Sequence, residues 1–338
     1  MPTFYWGDFM TLPRRVFLRL AAGAAACPVA APFALCPARA DTYPARPVHL
    51  IVGFGPGGSP EIIARLVGQS LSERLGQQFV IENRPGAGTT IATEAVVRSN
   101  PDGYTLLLVT LPNVTSSMIY ERLPFDFMSD VTPIASINLL PQVMVVNQSF
   151  PAKTVPEFIA HAKANPGKIN MASTGSGNLS HLSIELFKIL TNVDIVHVPY
   201  RGAGPAQTDL LGGRVDGMFD TIPALIEPVR VGRLRGLAVT TKKRLAALPD
   251  LPTVGDFVPG FEVNGLIGVG APKGTPPEVI SKLNREVNAA VADPKLQARF
   301  ADLGALTFTG SPEDFSKFLA QENDKWGRVI RAAHIKAD

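Results

Sequence analysis

Two glycine-rich turns carry the groups best suited to chemistry in this sequence. The first, "GFGPGG" at residues 53–58, follows the Val/Ile-rich run Val48–Val52 and leads into an apolar-periodic segment. It spells G-x-G-x-x-G literally. Glu82 ends the next strand-like run, "FVIEN", about where a dinucleotide-binding fold places its ribose-binding acid. The second turn, "STGSG" at 173–177, repeats the arrangement: a strand, a Gly/Ser turn, then a helix beginning near Ser180 and His181. Such a turn presents backbone N–H groups beside the positive end of a helix dipole. That is an anion cradle, open to a pyrophosphate or a carboxylate alike.

The details of the first turn favour the carboxylate. Ser59 is a good N-cap, and Pro60 suits the first helical position, which puts Glu61 in the first turn. A fixed negative charge there stabilises the helix but repels a doubly charged pyrophosphate on the same terminus. Pro56 also removes one N–H donor from the loop. With one such loop on each half of the molecule, two helix N-termini would face each other across a cleft and hold an organic acid through main-chain N–H groups. A rival reading keeps the 53–58 loop as the nucleotide site of an exported oxidoreductase. Bulky replacements of Gly57 and Gly175 are expected to abolish ligand binding and leave the fold intact.

Catalytic patterns are missing from the sequence. It holds no H-E-x-x-H and no G-x-S-x-G, and the five histidines (49, 161, 181, 197, 334) lack metal-ligand spacing. Ser173 and His181 sit close in sequence with no orienting acid, so they form no triad. We expect no catalytic residue, metal or cofactor. Several candidates have plainer readings as well: Glu61 as a complement to its helix dipole, His181 as a cap or packing group, Tyr200 as a core wall, Asp220 as a hinge or strand end, and Arg201 on a solvated face. Thr110 and Asn113, after "YTLLLV", are further candidates for the cleft wall, and Phe315 and Trp326 read as packing anchors.

These groups must be positioned by an α/β scaffold. From Pro47 onward, short β-like runs ("VHLIVGF", "FVIEN", "YTLLLVT", "QVMVVN", "INMAST", "DIVHVPY", "DGMFDTI", "LRGLAVTT", "GLIGVGAP") alternate with amphipathic segments at 61–75, 89–98, 154–165, 181–191, 204–213, 223–232, 276–292 and 312–333. This alternation predicts mixed, mostly parallel sheets. Two long extended runs, around 137–154 and 261–275, predict two crossovers. They divide the chain into lobe 1 (43–140 and 268–338) and lobe 2 (141–267), with a ligand cleft between them.

Residues 1–40 read as a removed export signal rather than as part of this fold. They carry Arg14, Arg15 and Arg19, an Ala-rich apolar stretch and an Ala38-Arg39-Ala40 cleavage pattern, and "RRVFL" is twin-arginine-like. Both cysteines, Cys27 and Cys36, lie here, so the mature chain is expected to be thiol-free and periplasmic. Four arginines and one aspartate account for the net +3, which leaves 28 basic and 28 acidic residues in the remainder. Nothing in that balance suits nucleic acid or anionic lipid.

The stretch from "YPARPVHLIVGFGPGGSPEIIARL" through "GYTLLLVT" resembles the Bug-type extracytoplasmic solute receptors of the tripartite tricarboxylate transporter systems. So do "ASTGSGNLSHLSIELF", "VHVPYRGAGPAQTDLLGGRVDGMFDTIPA", "ALPDLPTVGDF" and "GAPKGTPPEVISKLN". The resemblance covers nearly everything after residue 43. It implies a periplasmic-binding-protein-like (type II) Venus flytrap. Such a receptor is a cofactor-free monomer that closes on a small carboxylate and passes it to the membrane permease subunits without ATP; a liganded receptor that signals to a membrane kinase is the variant reading. The family's first loop maps onto Phe54, Gly55, Pro56, Gly57, Gly58 and Glu61, and its second onto Ser173, Thr174, Gly175, Ser176, Gly177 and His181. Tyr200, Arg201, Gly202, Asp220 and Thr221 are implied beside the cleft. The family's usual acid at the first loop is Asp after a small residue, whereas this chain has Glu61 after Pro60.

Overall fold

In the computed structural model, residues 43–336 are described; the segment read as an export signal lies outside them. The strands are β1 (Val48–Val52), β2 (Phe79–Asn83), β3 (Thr105–Thr110), β4 (Val131–Asn147), β5 (Asn170–Ser173), β6 (Val196–Pro199), β7 (Gly217–Thr221), β8 (Leu234–Val239), β9 (Asn264–Pro272) and β10 (Leu306–Thr307). The helices are α1 (Ser59–Leu75), α2 (Thr90–Val97), α3 (Leu111–Ile119), α4 (Phe127–Asp130), α5 (Val155–Ala164), α6 (Leu179–Thr191), α7 (Ala203–Leu211), α8 (Ile222–Arg230), α9 (Pro277–Val291), α10 (Pro294–Asp302) and α11 (Pro312–Ala332).

All nine expected strands form. Their order is β2-β1-β3-β9-β4-β7-β5-β6, and β8 and β10 also pair with β4. Parallel ladders join β1 to β2 and β3, and β5 to β6 and β7. The ladders of β4 with β7, β8, β9 and β10, and of β3 with β9, are antiparallel. The sheet is therefore more evenly mixed than the strand–helix alternation predicts. The reason is the two long extended runs: each returns the chain without a crossover helix on the same face, and an antiparallel partner needs none.

β4 is the central element. Its first part, Val131–Pro141, ladders with β9, and its last part, Gln142–Asn147, ladders with β7, with β8 pairing over Val143–Asn147. Two α/β lobes thus share one continuous strand. β1 is buried along most of its length, as expected of a strand covered by helices on both faces. Helix ends follow their local signals. Gly76 closes α1 in the left-handed region, φ 69°, with its N–H on Ser72 O at 3.0 Å. Ser311 caps α11, accepting from Asp314 N at 3.1 Å. Phe315 and Trp326 on that helix are both fully buried, and the Trp326 indole N–H donates to Glu322 Oε2 at 2.7 Å. One cap differs from expectation: the N-cap of α1 is Gly58, with Ser59 already helical.

Candidate functional site

A cavity of about 730 Å³ opens where the strand ends of the two lobes meet. That is within the usual size range for small-molecule sites. One wall is the first glycine loop, Phe54–Pro60, with Thr110–Pro112 at the β3–α3 junction. The opposite wall is Arg201–Gly204 at the start of α7, Thr174 and Asn178–Ser180 at the start of α6, and Asp220 and Thr221 at the end of β7. Leu140 and Gln142 of β4, and Gly265–Ile267 of β9, join the walls.

The first loop is held by its own acid. Glu61 is 5% exposed; Oε2 accepts from Gly57 N at 3.3 Å, and Oε1 accepts from Arg65 Nε one turn along. Glu61 is therefore a loop clasp and does not line the cavity. It spends the Gly57 amide, while among the described residues no acceptor takes Gly58 N–H or Ser59 N–H. These two sit at the positive end of a 17-residue helix. Gly57 needs φ 88°, which glycine adopts without strain. Gly53 has a packing reason: a Cβ there would stand 2.6 Å from Thr89 Cβ. Glu82, the would-be ribose ligand, is bound to His49 and, at 2.8 Å, to Arg84, which holds its carboxyl below the usual range.

The second predicted loop is arranged differently. Of Ser173–Gly177, Thr174 borders the cavity. Thr174 N donates to Ser180 Oγ at 2.8 Å, Gly175 N to Ser173 Oγ at 3.3 Å, and Gly177 N to His181 Nδ1 at 3.0 Å. The amides expected to face a ligand are turned into the loop because neighbouring side chains supply acceptors. Ser173 Oγ also meets His197 Nε2 at 2.5 Å, and the His181 and His197 rings stack with centroids 3.7 Å apart. Ser173, Gly175, Ser176, Gly177 and His181 thus shape the loop and do not line the cavity. Tyr200 is likewise a brace: its hydroxyl donates to Asp209 Oδ2 at 2.8 Å, and Asp209 pairs with Arg214 at 2.7 Å. Burial and the bond to Asp209 hold the phenol above its ordinary range.

The groups that replace this loop at the cavity are Arg201, Gly202, Ala203 and Gly204. Gly202, φ 108°, is the N-cap of α7; its own N–H donates to Thr174 O at 3.2 Å, and the next two residues, Ala203 and Gly204 at the positive end of this second helix, line the cavity with Arg201. Arg201 is the one Lys or Arg side chain on the cavity lining among the described residues. The signal was present as "RGAG" before an amphipathic run. Asp220 lines the same wall at 6% exposure, and burial pushes its carboxyl up to about 6. Thr110 lines the opposite wall, and Asn113 stands behind it, accepting from Thr110 N at 2.8 Å.

Comparison with known proteins fits this geometry. The sequence pattern of the tripartite tricarboxylate transporter family receptor matches residues 63–335. The chain belongs to that receptor family. It is 38% identical over 303 residues to Protein BugT of Bordetella pertussis, covering 89% of this chain and 93% of BugT. Among solved structures it is similar to Rpa4515 of R. palustris with adipate (36% identity, TM-score 0.80, 87% and 99% of the two chains). It is also similar to MatC from Rhodopseudomonas palustris with bound malate (32% identity, TM-score 0.77, 85% and 100%). The expected Venus-flytrap fold and family are thus shown. The glycine loops belong to a solute-receptor fold.

Proposed function

We propose that this chain is a periplasmic, monomeric receptor that captures a small organic carboxylate between its lobes and delivers it to a membrane permease. The observation that carries the reading is the pairing of two helix N-termini, at Gly58–Ser59 and Ala203–Gly204, with Arg201 on one shared cavity. Backbone N–H groups and a guanidinium suit carboxylate oxygens and need no cofactor. The relatives that hold adipate and malate support the ligand class. We place lobe 1 at 43–140 with 268–338 and lobe 2 at 141–267, hinged where β4 and β9 run from one to the other. A ligand that contacts both N-termini favours the closed form by its differential contacts. The arginine-bearing N-terminal segment supports export.

A thermal-shift screen over mono- and dicarboxylates tests this reading. A ligand at a hundred times its Kd stabilises the fold by about 2.7 kcal/mol, which raises Tm by roughly 4 °C for a fold of this size. Arg201→Ala should abolish most of the shift and leave the unliganded Tm unchanged. A shift with nucleotides and none with carboxylates would overturn the proposal.

A further inference from the structure

Asp220 is the one carboxylate side chain on the cavity lining among the described residues, on the wall that also carries Arg201. It stands near the end of β7 at 6% exposure. Its Oδ1 accepts from Thr221 N at 2.7 Å; its Oδ2 is buried, and no described residue donates to it. Against β7 pack β4, β5, α6, α7 and α8. The parts of β4 and β5 that ladder with it, residues 142–146 and 171–172, hold no titratable side chain. On α6 stand His181, Glu185 and Lys188, on α7 Asp209, and on α8 Glu227 and Arg230. Each has business elsewhere: Glu185 pairs with Lys188 at 2.9 Å and lies 3.8 Å from His181, Asp209 pairs with Arg214, Arg230 donates to Ala247 O, and Glu227 is exposed. Neither these groups nor Arg201 governs the Asp220 carboxyl; burial dominates it, opposed by hydrogen bonds from Thr221.

An anion cradle and an acid without a basic partner therefore share one cavity. In a cavity of about 730 Å³, a bound carboxylate lies on the order of 8 Å from Asp220, where two like charges cost roughly thirtyfold in affinity at an effective dielectric of about 20. Arg201 attracts the ligand whether or not Asp220 is charged, so it does not relieve this repulsion. A proton on the acid does. At pH 7 that proton costs about tenfold, because the carboxyl already titrates at about 6 before a ligand arrives. Protonation is the smaller of the two costs. We propose that capture of a carboxylate is linked to uptake of a proton from solvent by Asp220, so that this receptor binds its ligand more tightly as pH falls through neutrality. The inference rests on the carboxylate reading above and deepens it. It also narrows the ligand class to acids without an amino group, since an ammonium would pair with the ionised acid and call for no proton.

Titration calorimetry on the full purified chain tests this, with succinate, malate, adipate and benzoate as probes. Paired titrations at pH 7.5 in Tris and in HEPES count protons from the difference in apparent enthalpy; the wild type should take up about half a proton per ligand. Its affinity should rise about tenfold from pH 8 to pH 6. Asp220→Asn keeps an acceptor for Thr221 N and cannot hold the charge. It should bind without proton uptake, change affinity less than about threefold over the same range, and bind about tenfold or more tightly than the wild type at pH 8. A wild-type uptake below about a tenth of a proton, an uptake that persists in Asp220→Asn, or weaker binding by that variant at pH 8 would each overturn the linkage. The wild-type proton count decides the matter even if the variant folds poorly. If none of the probes binds, the receptor reading falls with the linkage; if one binds without a proton, only the linkage falls.

Discussion

Asn113→Ala removes a side chain that ties the cavity wall to the core. Asn113 is 1% exposed. Its Oδ1 accepts from Thr110 N at 2.8 Å and from the Thr110 hydroxyl at 2.6 Å, and its Nδ2 donates to Thr93 Oγ1 at 2.8 Å. Truncation breaks all three bonds. It leaves the Thr110 amide and hydroxyl without acceptors at a residue only 4% exposed, whereas Thr93 keeps its own bond to Thr89 O at 3.1 Å. An orphaned buried donor costs about 1–3 kcal/mol, and loss of a helix-start bond costs about 1 kcal/mol. The two overlap at Thr110, so we expect about 2–4 kcal/mol. Urea unfolding monitored by circular dichroism measures it, and the matching Tm loss should be about 3–6 °C. Because Thr110, Leu111 and Pro112 line the cavity, calorimetry should also show weaker ligand binding. A loss below about 1 kcal/mol would refute the reasoning, since it would mean that Thr110 finds other partners at little cost.

Two further outcomes follow from the same geometry. Gly58→Leu should leave stability within about 1 kcal/mol and abolish ligand binding by calorimetry: Gly58 has φ −82°, and an added Cβ meets only Pro60 Cδ, at 3.6 Å. Unchanged affinity would remove this loop from the site. Gly175 is a poorer place for such a test, because φ is 142° and a Cβ would lie 2.8 Å from Asn178 Nδ2. Asp220→Asn should stabilise the unliganded protein at pH 7.5 and do so less as pH falls. The folded carboxyl titrates near 6 against an ordinary 3.8, so between those values the folded state holds the extra proton and wild-type stability rises as pH drops. The gain from Asn is at most roughly 3 kcal/mol above pH 6 and vanishes near pH 4; a gain independent of pH would contradict the buried-charge account.

Much of the fold was legible because local signals and burial agree. Val48–Val52 and the other strand runs are apolar wherever helices cover both faces, and the caps at Gly76 and Ser311 stand where their chemistry demands. Three helices were not legible. The α3 segment "LPNVTSSMI" is poor in helix-favouring residues, and it is held by packing against α11 and by the Thr110–Asn113 bond. α4 is a four-residue turn capped by Asp126. α10 begins at Asp293-Pro294, where the Asp293 side chain accepts from Lys295 N at 2.8 Å, so its cap signal stands in the sequence although its run does not stand apart from that of α9.

The sequence by itself determined the receptor family, the order of the nine main strands and the place of the first glycine loop between β1 and α1, because each is written in contiguous residues. Tertiary structure decided which amides remain free. Ser180 and His181 turn the Thr174 and Gly177 N–H groups inward, and β6 carries the "RGAG" turn to the cavity in their place. Whether a backbone donor is spent or available depends on what folds against it, and that is fixed only when distant segments pack together.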